Sequence, residues 1–352
     1  MPPTVSIVIP VYNASPYLAG CLNGLRRLDP PPLECILVDD GSTDNSVAIA
    51  ERAGFRVLFC GRRRGPAVAR NVGARAARGD ILLFVDADVL VPPGAVARVL
   101  AQFDEDPSRD AIMGSYDDRP GSPDFTSQFR NLLHCFTHQT SHARTCSFWT
   151  GCGAIRTGVF REHGGFSEAY DRPYLEDIEL GLRLRQAGRE IWLDKGLCVK
   201  HLKKLTFAQT LKTDLFDRAI PWTLLILRFR SMPADLNLRW EQRLSVLLVS
   251  SAAAAMALGA VLGITTSMPL PRWPYWVGAT AVAAALLAVL NRGFYRFLAN
   301  RRGLWFALRS FPLHCLYFFS SGLGFAIGVL NYALRSSVPL LARRQASTKR
   351  DA

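Results

Sequence analysis

Asp86 and Asp88 close the apolar run DILLFVDADV, whose composition reads as a strand buried in a sheet. Buried carboxylates are costly unless something positive meets them. One explanation is local, because Pro92 and Pro93 signal a helix start and acids ahead of it would cap that helix. The other is a bound cation. In an extended segment residues i and i+2 point the same way, so both carboxylates would face one pocket at the strand's end. Two hard oxygen donors suit Mg2+ or Mn2+, which take their other ligands from phosphate and water. Spacing alone leaves both explanations open.

The surrounding elements bear on that choice. VSIVIPVY, ECILVDD, RVLFCG and DILLFVDADV read as strands, and SPYLAGCLNGLRRL, NSVAIAERA and PAVARNVGARAARG as helices between them. Such alternation implies a mostly parallel α/β sheet, in which ligands sit beyond the carboxyl ends of the strands. PVYN, VDDGSTD and DAD all fall at those ends. Further on, FTSQFRNLLHCFTHQTSHA reads as a helix, and YLEDIELGLRLRQAG as another that Gly188 closes.

The chain has 352 residues and a formal charge of +13. Residues 1–234 carry 29 Lys and Arg against 26 Asp and Glu, whereas residues 235–352 carry 13 against 3. The basic part also holds three charge-free stretches, 244–271, 273–291 and 310–334, each able to supply the roughly 20 residues a bilayer core needs. This points to a membrane surface, with a basic amphipathic helix at 292–309 lying between spans. No zinc-finger spacing, RNP-like string or base-reading helix accompanies the charge, so no nucleic-acid partner is expected. Eight cysteines without C-x-x-C pairing read as reduced thiols facing a cytosol, and MPPTVSIVIP lacks the features of a signal peptide. The expected layout is a globular domain over 1–205, an amphipathic interfacial connector over 206–242, membrane helices over 243–335 and a basic tail over 336–352. With the first domain in the cytoplasm, three spans put the 292–309 loop inside, as the positive-inside rule asks. They put the tail outside, against that rule, and a re-entrant last segment would return it.

Taken in order, SIVIPVYN, LVDDGSTDNS, GPAVARNVGARAARGDILLFVDADV and GGFSEAY…LEDIELGLRL resemble the signature of family 2 inverting glycosyltransferases, which have a GT-A fold. The resemblance covers roughly residues 4–205 and is specific for fold and reaction class, not for the sugar. It implies a nucleotide-diphosphate-sugar donor, UDP-linked, and a Mg2+ or Mn2+ ion to hold the charge of the diphosphate. It implies that Asp88 touches the metal, with Asp86 on the ribose or a metal-bound water. Pro10, Tyr12 and Asn13 would line the base pocket, and Asp39 or Asp40, with Asp40 preferred, would accept the uracil N–H. Turn-making is the alternative for those two acids. Arg70 would contact the nucleotide, and Arg62, Arg63 and Arg64 could add positive potential.

For Glu176 and Asp177 the bland reading is helix stabilisation, since acids are ordinary in a first turn. In the matching motif the second acid deprotonates the attacking hydroxyl. A helix N-terminus favours an ionised carboxylate, so Asp177 would stand ready as a base near neutral pH. Gly164 and Gly165 would let backbone approach the ligands. Trp149, Gly151 and Gly153 of WTGCG, with Glu176, would line the sugar and acceptor pocket. His201 is a candidate late metal or phosphate contact. His134, His138 and His142, at i, i+4 and i+8, fit packing or an acceptor groove better than zinc. DRAIPW lacks the Gln of the Q-x-x-R-W motif of processive synthases, which argues against processivity.

The expectation is therefore a multi-pass membrane glycosyltransferase of hexosyltransferase type, catalytic domain facing the cytoplasm, acting on a lipid or lipid-linked acceptor. Its rivals are a polyprenyl-phosphate sugar synthase, whose acceptor needs no strong base, and a non-catalytic membrane partner that retains the fold. PVYN after the first strand, where a dinucleotide fold has G-x-G-x-x-G, disfavours an oxidoreductase.

Overall fold

The computed structural model describes residues 3–170, 175–265 and 273–348, with side chains outside 261–277 and 335–348. It divides into two units, Met1–Thr206 and Phe207–Ala352.

In the first unit the chain runs β1 (Val5–Val11), α1 (Ser15–Leu25), β2 (Glu34–Asp39), α2 (Ser46–Arg52), β3 (Arg56–Phe59), α3 (Pro66–Ala76), β4 (Ile81–Val85) and β5 (Val89–Leu90). It continues through α4 (Ala95–Glu105), β6 (Arg109–Tyr116), α5 (Phe125–Thr140), β7 (Cys152–Arg156), α6 (Thr157–Glu162), α7 (Glu176–Gln186) and β8 (Glu190–His201). Among the described residues these strands form one eight-stranded sheet of order β3-β2-β1-β4-β7-β6-β8-β5. The first four are mutually parallel, β7 runs antiparallel between β4 and β6, β8 lies parallel to β6, and β5 antiparallel to β8. The fold is thus the expected GT-A-like α/β sheet.

Alternation along the strands assigns the two faces. Ile7, Ile9, Leu83 and Val85 join one apolar cluster with Leu18 and Leu22 of α1 and Val96 and Val99 of α4. Val8, Leu82 and Phe84 join the other, with Ala69 of α3, Phe160 of α6 and Leu180 of α7. Pro10 sits inside β1, a central strand, where a missing N–H would normally break a ladder. Its neighbours explain the tolerance. Val5 and Val11 bond towards β2 and Thr4 towards β4, so Pro10 faces β4, and the β1–β4 pairing has already ended at Val8. The sheet opens at that point, and the site residues lie beyond it.

The run read as DILLFVDADV is not one strand. β4 stops at Val85, and Asp86 to Val89 form a turn in which Val89 N–H donates to Asp86 O at 3.1 Å.

The second unit contains α8 (Phe207–Lys212), a π-helical stretch Thr213–Ala219, α9 (Ile220–Phe229), α10 (Trp240–Thr265), α11 (Trp273–Leu290), α12 (Arg292–Arg302) and α13 (Leu304–Thr348). Among the described residues two helices, Trp240–Ala260 and Leu304–Leu334, are long and apolar enough to cross a membrane. There are up to three if Gly278–Leu290 and Arg292–Arg302, bent by 73°, form one broken span. Within this unit Asn291 Nδ2 donates to Ser245 Oγ at 2.9 Å, and Tyr295 Oη lies 2.9 Å from His314 Nδ1. The expected single basic helix over 292–309 is divided: Gly303, at φ 88°, ends α12, and the remaining residues open α13. Residues 266–271 of the first charge-free stretch, and Lys349 and Arg350 of the tail, lie outside the described residues.

Candidate active site

The alternation of β4 continues into Asp86. Even-numbered residues of that strand face α3 and α7, and Asp86 Oδ1 accepts from Arg70 Nη2 of α3 at 2.7 Å. Arg70 Nη1 donates to Glu176 Oε1, at the start of α7, at 2.7 Å. Burial disfavours the guanidinium's charge, but Asp86, Glu176 and Asp177 outweigh it and hold Arg70 firmly protonated. Arg70 lies mid-helix with its side chain only 5 % exposed and both terminal nitrogens engaged by these acids. Glu176, whose side chain is 4 % exposed, is that guanidinium's buried partner.

Asp88 goes elsewhere. The turn at Ala87–Asp88 breaks the i, i+2 relation, and β5 then pairs with β8, setting Val89 opposite His201. Asp88 Oδ2 lies 3.7 Å from His201 Nε2 and 3.9 Å from Lys203 Nζ. Burial raises the Asp88 pKa, yet His201 and Lys203 prevail and its carboxyl titrates below the ordinary range. The expectation that both side chains point the same way from an extended strand is therefore replaced: Asp86 turns to α3 and α7, Asp88 to the end of β8.

Asp177 is partly buried at the start of α7. Its Oδ2 accepts from Thr150 N–H and Thr150 Oγ1, each at 3.3 Å, and its Oδ1 from Ile178 N–H at 2.8 Å. Burial first, then the charge of Glu176, pushes its pKa up to about 7 against the opposition of Arg70 and those N–H groups. The helix terminus does not keep it strongly ionised as expected. It titrates near neutrality, the value a general base works best at.

On the other side of β1, the loop after β2 is tied together by its own acids. Asp39 accepts from Gly41 N–H and Ser42 N–H, both at 3.1 Å. Asp40 is 3 % exposed, and its two oxygens take Arg64 N–H and Gly65 N–H at 2.8 Å each, pinning the entry to α3. Asp40 thus fixes the turn into α3, and burial lifts its pKa. Asn13, at φ 48°, accepts from Thr43 N–H at 2.8 Å and joins the β1 and β2 loops. Tyr12 is 39 % exposed, with the Arg63 guanidinium 4.4 Å from its ring centroid.

A ring cluster stands beside Asp88. Tyr116 packs at 4.8 Å on His201 and 4.7 Å on Trp149, and Trp149 meets His138 at 5.3 Å. His134 joins through Tyr116, whereas His142 falls beyond the end of α5. Gly151 leaves room for the indole, since a Cβ there would lie 2.2 Å from it, and Gly153 lets β7 pass under Trp149 O. Gly165 serves packing: at φ 66°, a Cβ would stand 2.7 Å from Asn71 Oδ1. Sequence reasoning missed Tyr116 and Lys203, and it placed Thr150 in WTGCG without its contact to Asp177, because each of these contacts is tertiary and none lies in a recognisable acidic block.

Asp88 and His201 offer an oxygen and a nitrogen donor, and no group of three His, Cys, Asp or Glu able to hold a metal occurs among the described residues. That set fits a divalent cation completed by ligand phosphates, not one caged by protein.

Residues 6–164 match the family described as Glycosyl transferase family 2. The matched segment is less than half of the chain and runs from β1 to α6, where the strand-end acids lie. The chain is 31 % identical over 211 residues to the uncharacterized glycosyltransferase EpsJ of Bacillus subtilis, covering 56 % of this chain and 61 % of that one. It is 34 % identical over 117 residues to glycosyltransferase GlyG of Streptococcus pneumoniae, covering 32 % and 38 % respectively. It is 31 % identical over 232 residues to validoxylamine A glucosyltransferase of Streptomyces hygroscopicus, covering 54 % and 51 %. The chain thus spans less than two thirds of each of these relatives. In fold it resembles a mannosyltransferase of Pyrobaculum calidifontis solved with GDP-Man and Mn2+, at 18 % identity and TM-score 0.51, covering 93 % of this chain and 88 % of that one.

Proposed function

We propose that the chain is a membrane-attached inverting glycosyltransferase that moves a sugar from a UDP-linked donor to a hydroxyl of a lipid or lipid-linked saccharide. The observation that carries this reading is the Arg70 bridge, which draws Asp86 at the end of β4 and Glu176 at the start of α7 to one rim, with Asp177 next to it. A turn acid, a buried cation and a base titrating near neutrality are what transfer to a hydroxyl requires.

In the proposed reaction Asp177 takes the acceptor's proton. The freed oxygen forms a bond to the anomeric carbon from the face opposite the diphosphate, whose bond to that carbon breaks, so configuration inverts. Thr150 holds Asp177 in place through Oδ2, and Arg70 fixes the acids around it. Tyr12, Asn13 and Asp39 line the nucleotide end, and Trp149, with Gly151 and Gly153 beneath it, the sugar end. Asp88 and His201 would hold Mg2+ or Mn2+, which supplies positive charge to the departing diphosphate. The Mn2+ reported with the Pyrobaculum enzyme supports that assignment. The two apolar helices support attachment to a bilayer, and the basic 292–309 segment favours a catalytic unit on the cytoplasmic side.

A radiolabelled UDP-sugar panel, incubated with native membranes and followed by lipid extraction, tests the reading. Label entering the lipid phase from one donor is expected. No consumption of any donor would leave only a fold without the chemistry.

A further inference from the structure

α11 and α12 meet at a bend of 73°, so a spanning α11 leaves α12 running across the bilayer plane. Phe294 and Leu298, 2 % and 0 % exposed, fasten α12 to its own unit. Arg292, Arg296, Arg301 and Arg302 are exposed around it. After Gly303, the first turns of α13 expose Leu304, Trp305 and Leu308, at 68, 70 and 57 %, beside exposed Arg309. Five arginines and three large apolar side chains therefore share one short segment, and the sequence has no Asp or Glu between Glu241 and Asp351.

Length places this segment. The apolar run Leu304–Leu334 has 31 residues. At 1.5 Å per residue that is about 46 Å, against about 30 Å of hydrocarbon, so roughly ten residues stand in the headgroup layers. Arg309 puts part of that surplus at the Leu304 end, where a guanidinium can reach phosphate while Trp and Leu sit at the acyl boundary. A soluble partner accounts poorly for exposed Trp305 and Leu308. A zwitterionic bilayer accounts poorly for five arginines and no acid.

We infer that residues 292–309 form a docking surface for anionic phospholipid, with Arg296, Arg301, Arg302 and Arg309 on headgroup phosphates and Leu304, Trp305 and Leu308 in the acyl boundary. Guanidinium suits this task because its planar fork pairs with phosphate through two hydrogen bonds. The inference rests on the membrane attachment proposed above and adds the class of lipid.

Full-length protein reconstituted in nanodiscs of mixed phosphatidylcholine and phosphatidylglycerol, then released and weighed by native mass spectrometry, tests it. The wild type should retain phosphatidylglycerol several-fold over phosphatidylcholine. Replacing the four arginines with Gln should abolish the preference, each arginine contributing up to about fivefold. Replacement by Lys keeps the charge and should keep most of the preference, which guards against a misfolded variant. Equal retention of both lipids by the wild type, an undiminished preference in the Gln variant, or equal loss in the Gln and Lys variants would overturn the inference. So would bound RNA, or a dimer that the Gln variant abolishes, without any lipid preference. The readout counts lipid and not transferred sugar, so a failed transfer assay leaves it standing. Release of the chain from membranes by alkaline carbonate would instead remove the attachment on which it rests.

Discussion

Arg70 donates to Asp86 Oδ1 at 2.7 Å from inside the protein, with its other terminal nitrogen the same distance from Glu176 Oε1. Taking one partner from a buried ion group typically costs about 3–5 kcal/mol, because the remaining charge stays behind in a poor solvent. Arg70→Met should therefore destabilise the full chain by roughly that amount in chemical denaturation. Adding Glu176→Gln should restore part of the loss, as groups in one network are not additive. A near-additive double variant would show that the bridge does not organise the rim.

Asp177 carries the strongest pH prediction. Its pKa lies near 7, so transfer should fall as pH drops below 7 and level off above it. Asp177→Asn should lower the rate about 10²–10⁴-fold and abolish that limb. Stability should respond in the opposite sense. A carboxyl whose folded pKa is raised favours folding less as pH climbs from about 4 to 7, and Asn removes that penalty. The Asn variant should thus melt higher than wild type at pH 8 but not at pH 4. Transfer surviving in Asp177→Asn would favour an acceptor that is already an anion, as in a polyprenyl-phosphate sugar synthase.

Thr150 is a positioning residue in the same account, since both its N–H and its Oγ1 meet Asp177 Oδ2. Thr150→Val keeps the N–H and removes one donor to the ionised form. The acidic limb should then move up by as much as about one pH unit, a hydrogen bond to a charged group being worth about that. Thr150→Ser should restore it. A general fall in rate with an unmoved limb would mean that the hydroxyl merely packs.

How much of this was legible in the sequence follows from which contacts are local. β1, β2, β4 and the helices after them come from apolar period and turn residues, so their alternation and the parallel sheet were readable. The acids at Asp86, Asp88 and Asp177 were readable as well, because they fall at strand and helix ends. Their directions were not. Extended geometry placed Asp86 and Asp88 on one side, but the turn after Val85 and the distant pairing of Val89 with His201 separate their partners. Arg70 was readable as a basic residue facing the ligand end of the sheet, but not as the partner of Glu176, because α7 delivers that counter-charge from more than 100 positions later. Likewise, a helix N-terminus predicted a well-ionised Asp177, and burial beside Glu176 reversed the sign.

Asp88 should be indispensable. Asp88→Ala, or excess EDTA on the wild type, should abolish transfer, and UDP with Mn2+ should raise the melting temperature of the wild type but not of the variant. His201→Ala should leave some transfer and shift the Mn2+ dependence to higher concentration, because Asp88 remains as an oxygen donor for the cation. Full activity of Asp88→Ala, or of wild type in EDTA, would end the cation assignment.

Gly165 tests whether the segment before α7 is held by shape or by ligand contact. Its φ of 66° lies where side chains are strained, and an added Cβ would come within 2.7 Å of Asn71 Oδ1 and 3.0 Å of the Phe160 ring. Asn71 cannot yield easily, because that same oxygen accepts from Phe166 N–H at 3.0 Å while its Nδ2 donates to Phe166 O at 2.8 Å. Gly165 O in turn accepts from Arg183 Nη2 at 2.6 Å, so a backbone shift would disturb α7 as well. Gly165→Ala should therefore cost about 1–3 kcal/mol of stability, measured by denaturation, through strain and displaced packing. The donor's KM should stay unchanged in the folded fraction. A raised KM with unchanged stability would place Gly165 at the ligand, as the sequence pattern first implied.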